Sequence, residues 1–142
     1  MAIEFEGPEK KLEIILFKPR PALRSEGVRS QWNAVARAAG AEILSFSATP
    51  DMDAFLLSES SLFVWDDRVL MITCGRTTLV RAVPELIRII GRESIAFFFY
   101  ERKNLMYPQH QSADFEADVA RLAAHFQGKS YRLGPANHDH LH

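Results

Sequence analysis

Between Ala54 and Gly75 the sequence reads AFLLSESSLFVWDDRVLMITCG. The segments AFLLS, SSLFVW and VLMITCG are apolar and extended in character, and almost nothing separates them. Asp66-Asp67-Arg68 is far too short for a crossover, so the strands it joins form an antiparallel hairpin. That constraint fixes the centre of the fold as an antiparallel sheet.

The flanking sequence supplies the rest. LEIILFK, residues 12–18, predicts an earlier strand, and PRPALRS breaks it. Val28, Trp32, Val35, Ala36 and Ala39 follow helical spacing over residues 26–39, with Gly40 as a stop. AEILSFSA predicts a second strand. Residues 77–90 carry a helical pattern with Pro84 inside it, which is expected to kink or restart the helix. SIAFFFY predicts a strand, SADFEADVARLAAHF an amphipathic helix with Phe115, Val119, Leu122 and Phe126 on one face, and KSYRLG a last strand. The expected order is β, α, β, β, β, α, β, α, β. This is an α+β two-layer sandwich, a mainly antiparallel β-sheet with helices on one face. At 142 residues it makes a single domain, 1–142.

Composition narrows the function. A net charge of −1 provides no basic field for nucleic acid. No apolar stretch is long enough for a membrane helix, and MAIEFEGPEKK lacks the basic-then-apolar order of a signal peptide. The single cysteine, Cys74, excludes an intrachain disulfide and suits a reducing cytoplasm.

Ser58-Glu59-Ser60-Ser61 places three hydroxyls and a carboxylate between two runs that want burial. One reading is a tight turn; the other is chemistry at the Glu59–Ser60 bond. Cys74, at a strand end before Gly75, is either a small buried hydrophobe or a proton donor or nucleophile, its pKa open to lowering by Arg76. FEGPEKKLE brings Phe5, a rigid turn and the acids Glu6, Glu9 and Glu13 together. It is either a solvated edge or a place where a ring stacks and a cation binds. His138, His140 and His142 alternate and would share one strand face. A chain end without supporting groups is a poor metal site, so no metal is expected.

FEGPEKKLEI, LSESSLFV, the TCG whose Cys74 lies fourteen residues after Ser60, and FFFYERKNLMYPQHQ together resemble the eukaryotic-type S-adenosylmethionine decarboxylases. The likeness is collinear from Phe5 to about Asn137. It implies self-cleavage at Glu59–Ser60, leaving a pyruvoyl group derived from Ser60 as the cofactor. That group forms a Schiff base with S-adenosylmethionine and accepts the electrons released with carbon dioxide. The product is the aminopropyl donor for spermidine.

The resemblance also implies roles. Cys74 would reprotonate the α-carbon, Phe5 would stack on the adenine, and the Glu59 backbone would contact the adenine edge. Glu6 and Glu9 match acids needed for activity, with Glu9 facing the reacting centre. Glu13 matches an acid of the site where putrescine activates some members. Two positions depart from the pattern. Ile72 stands where putrescine-activated relatives carry a lysine, which argues against that control. Trp65 stands where the short bacterial branch keeps a histidine. The processing histidine and serine, a second stacking aromatic and a ribose-binding acid of the long enzymes lie in a second half. The chain is therefore expected to be the N-terminal half of a duplicated αββα sandwich, with a second half or second copy as partner. Two alternatives remain open: a pyruvoyl decarboxylase of ornithine or arginine, and a non-catalytic regulatory paralogue.

Overall fold

The computed structural model describes residues 9–74, 77–103 and 112–134, without the side chains of residue 103 and residues 112–114. In chain order the elements are β1 (Glu9–Leu16), α1 (Glu26–Arg29), α2 (Trp32–Ala38), β2 (Ile43–Ala48), β3 (Met52–Leu57), β4 (Ser60–Trp65), β5 (Arg68–Thr73), α3 (Leu79–Ile90), β6 (Ile95–Lys103), α4 (Ser112–Phe126) and β7 (Ser130–Leu133). The strands form one sheet in the order β2-β3-β4-β5-β1-β6-β7. Its pairs are antiparallel except β6 with β7, which run parallel. A parallel pair needs a crossover, and α4 provides it.

Every strand residue faces one of two environments. Leu12, Ile14, Phe55, Leu57, Leu62, Val64, Val69, Met71, Phe98 and Tyr100 point into the helix layer and are buried there. From the helices come Trp32, Val35, Leu79, Val83, Leu86, Leu122 and Phe126, all in the same core. The alternate strand residues form the other face, with no element of the described chain over it. Ile15, Phe63, Leu70, Ile72, Phe97 and Phe99 are half-buried there, and Leu56 is 53% exposed. The α+β sheet with one helical layer thus follows the pattern expected from the sequence.

Three local details differ. AFLLS and SSLFVW fall in two separate strands, β3 and β4, so the sheet holds seven strands where the expected order had six. The helix expected over 26–39 is two short helices, because side chains near the break compete for its carbonyls. Ser30 Oγ donates to the Gly27 carbonyl at 3.1 Å, and the Gln31 N–H donates to the Val28 carbonyl at 2.8 Å, one residue tighter than an α-helical bond. Asp53, fully buried in β3, anchors the same region by accepting from Arg24 Nε at 3.1 Å and Arg29 Nε at 2.8 Å. In α3, by contrast, Pro84 does not restart the helix. Burial of Leu79, Val80, Ala82, Val83, Leu86, Ile87 and Ile90 holds the backbone through the missing N–H.

Candidate active site

The polar stretch between the two apolar runs is the tip of a hairpin. Leu57 pairs with Ser60, so Ser58 and Glu59 alone connect β3 to β4. So tight a connection demands a left-handed residue, and Glu59 takes it at φ 61°. A side chain with a Cβ costs about 1–2 kcal/mol in that region. The expected turn and the expected reactive bond therefore coincide.

The three serines have different surroundings. Ser58 is structural: its N–H donates to the Glu42 carbonyl at 3.0 Å, and its Oγ accepts from the Glu42 N–H at 3.1 Å. These two bonds tie the tip to the start of β2. The Ser58 carbonyl accepts from Ser60 Oγ at 3.3 Å and from Thr77 Oγ1 at 3.4 Å. Ser60 is 7% exposed and faces the helix layer, whereas Ser61 lies on the open face.

Opposite the tip, the Cys74 N–H donates to the Glu59 carbonyl at 3.1 Å. The registers of β4 with β5 and of β5 with β1 extend to this end of the sheet, aligning Glu59, Cys74 and Glu9 in one row on the open-face parity. The Cys74 side chain is exposed. Partial desolvation, then the charges of Glu9 and Glu59, push its thiol pKa above the ordinary value. The sequence allowed Arg76 to lower this pKa; the shift runs the other way, and Arg76 lies outside the described residues. A thiol held protonated suits proton donation better than nucleophilic attack.

One residue inward, the next row on the buried face is polar across β4, β5, β1 and β6: Ser60, Thr73, Lys10 and Arg102. Asp118 of α4 closes over it. Its carboxylate lies 3.0 Å from Lys10 Nζ and 3.6 Å from Arg102 Nη1, and accepts from Tyr100 Oη at 2.9 Å. Burial and this carboxylate drive the Tyr100 pKa far upward. Thr73, Lys10, Thr77 and Asp118 were not singled out from the sequence. The available signal was parity: Ser60 and Thr73 are polar at inward positions of otherwise apolar strands.

The remaining expectations divide. Glu13 sits on the open face, 3.2 Å from Arg68 Nε, while Ile72 stands on that same face. Trp65 is at the far end of β4 from Ser60, under the Arg68 guanidinium at 4.0 Å. Phe5, Glu6, Asn137, His138, His140 and His142 lie outside the described residues. The geometry therefore unites Glu59, Ser60, Cys74 and Glu9 at one end of the sheet and leaves Glu13 on the open face further along β1.

The adenosylmethionine decarboxylase family model matches residues 2–142. The chain is 36% identical over 148 residues to the S-adenosylmethionine decarboxylase proenzyme of Leishmania donovani, covering 96% of this chain and 38% of the relative. Against the proenzyme of Saccharomyces cerevisiae it is 36% identical over 163 residues, with 97% and 41% covered. Against that of Spinacia oleracea it is 35% identical over 136 residues, with 88% and 38% covered. The chain spans about two fifths of the length of these relatives. It belongs to the adenosylmethionine decarboxylase family.

Proposed function

We propose that this chain carries the cleavage bond and the proton donor of a pyruvoyl-dependent S-adenosylmethionine decarboxylase, and that its product is the aminopropyl donor for spermidine. The observation that carries the reading is the Glu59–Ser60 bond itself. It sits at a hairpin tip, its carbonyl held by the Cys74 N–H and its serine hydroxyl shielded from solvent. The name "proenzyme" borne by the relatives is consistent with a chain that must be processed.

The residues supply a sequence of tasks. Attack of Ser60 Oγ on the Glu59 carbonyl carbon closes a five-membered ring and exchanges an amide for an ester. Negative charge then develops on the Glu59 oxygen, where the Cys74 N–H already donates, as an oxyanion donor must. Elimination from the ester, followed by hydrolysis, leaves the pyruvoyl group at residue 60. That group offers a carbonyl to the substrate amine and a sink for the electrons left when carbon dioxide departs. The Cys74 thiol, kept protonated by desolvation and by Glu9 and Glu59, returns a proton to the α-carbon. Glu9, in the same row, faces that reaction. Phe5 and the Glu59 backbone hold the adenine, with Glu6 as a further acid.

The half-buried apolar residues of the open face belong, on this reading, against the remaining part of a longer chain or against a second copy. The site is completed from there. Mass spectrometry of the full-length protein tests the proposal. It should resolve two chains split after Glu59, the second beginning with pyruvoyl, and Ser60→Ala should remain intact and release no carbon dioxide from S-adenosylmethionine. An uncleaved wild-type protein that is fully folded overturns the reading.

A further inference from the structure

We propose that the Thr73 hydroxyl is the hydrogen-bond acceptor that orients Ser60 for attack on the Glu59 carbonyl, an inference that rests on reading Glu59–Ser60 as a scissile bond. Thr73 and Ser60 are directly opposed on β5 and β4. The bond from the Cys74 N–H to the Glu59 carbonyl makes the preceding pair a hydrogen-bonded one. Alternation then makes Ser60 and Thr73 a non-hydrogen-bonded pair, the kind in which facing side chains stand closest. Both point into the helix layer.

Thr73 is 0% exposed, and its Oγ1 has no hydrogen-bond partner among the described residues. A buried hydroxyl in that condition weakens a fold. Valine has the same shape, is at least as favourable in a strand, and carries no such penalty. A threonine here therefore has no packing rationale. On its other side stands Lys10, whose ammonium is engaged by Asp118 at 3.0 Å. Ser60 is the polar neighbour on β4. Its hydroxyl now donates to the Ser58 carbonyl over a long 3.3 Å. Rotation about the Ser60 Cα–Cβ bond exchanges that weak acceptor for Thr73. The oxygen lone pair is thereby turned toward the Glu59 carbon.

The step served is an acyl shift from nitrogen to oxygen. The bond from Ser60 Oγ to the Glu59 carbonyl carbon forms, and the bond from that carbon to the Ser60 nitrogen breaks. The hydroxyl proton ends on the liberated amine. No co-reactant is consumed. Thr73 remains unchanged and acts as a positioning residue.

The test is a time course of cleavage after synthesis of the full-length protein in a cell-free system, read on gels and by mass spectrometry. Thr73→Val should cleave about tenfold more slowly or worse, the rate equivalent of one neutral hydrogen bond. Its thermal midpoint, measured with Ser60→Ala added to keep the chain whole, should be equal to or above that of Ser60→Ala alone. Thr73→Ser, which restores the hydroxyl, should cleave close to the wild-type rate. Cleavage of Thr73→Val at the wild-type rate overturns the proposal, as does Thr73→Ser cleaving as slowly as Thr73→Val. If Thr73→Val does not fold, Thr73→Ala against Thr73→Ser reads the same contrast. A wild-type protein that never cleaves sinks the scissile-bond reading instead, so the two failures are distinct.

Discussion

The backbone N–H of Cys74 and the carbonyl oxygen of Glu59 are 3.1 Å apart and hydrogen-bonded. One residue thus presents two separable groups: a main-chain donor aimed at the bond proposed to be cut, and a thiol. Cys74→Ala keeps the first and deletes the second. Carbon dioxide release per mole of cleaved chain should fall by about 10²–10⁴-fold, the usual worth of a positioned acid. Normalising to cleaved chain separates this loss from any effect on processing. Undiminished release would remove the thiol from the mechanism.

The pH profile follows from the sign of the thiol shift. The donor form is the protonated one, and its pKa lies above the ordinary 9.0. Activity governed by this group should be present below that raised pKa and lost as pH climbs through it. Glu9→Gln removes one of the charges that raise it, so the alkaline limb should move to lower pH even where the plateau falls. A limb that stays in place in a Glu9→Gln series would show that the carboxylate does not act on the thiol.

Asp118 stabilises more than it touches. Removing it by Asp118→Ala takes the carboxylate from half-buried Lys10 and buried Arg102 and leaves the Tyr100 hydroxyl without its acceptor. Breaking a buried pair from one side costs about 3–5 kcal/mol. Tyr100→Phe deletes a single bond to the same carboxylate and should cost about 1 kcal/mol. Urea unfolding of both variants, each carrying Ser60→Ala, measures the difference. Equal losses would mean that the cations find other partners.

The hairpin tip makes its own prediction. Glu59 occupies φ 61°, where asparagine is at home and a β-branched residue is not. In the Ser60→Ala background, Glu59→Asn should leave the thermal midpoint equal or slightly higher. Glu59→Val should lower it, because a branched Cβ adds to the strain that Glu59 already bears.

The sheet was legible because its signals are local. Alternation and the Asp66-Asp67-Arg68 turn determine strands and direction without reference to distant residues, and Glu59–Ser60 and Cys74 stand out by motif and spacing. The break between α1 and α2 was not legible, since it depends on side chains such as Ser30 outcompeting the helix for its own carbonyls. Lys10, Tyr100, Arg102 and Asp118 come from three elements of the chain. Only the register of β1 with β6 and the return of α4 bring them together. Thr73 was hidden for a different reason. A threonine within VLMITCG is unremarkable until its parity places it on the same side as Ser60.

Because successive strand residues point to opposite sides, the two halves of one peptide bond belong to different compartments. Glu59 is exposed at the tip, while Ser60 turns inward beneath the helices. On the proposed reading, an ester formed there would have its acyl carbon on the exposed Glu59 side, open to water, and its alkoxy carbon on the buried Ser60 side, where elimination would take place.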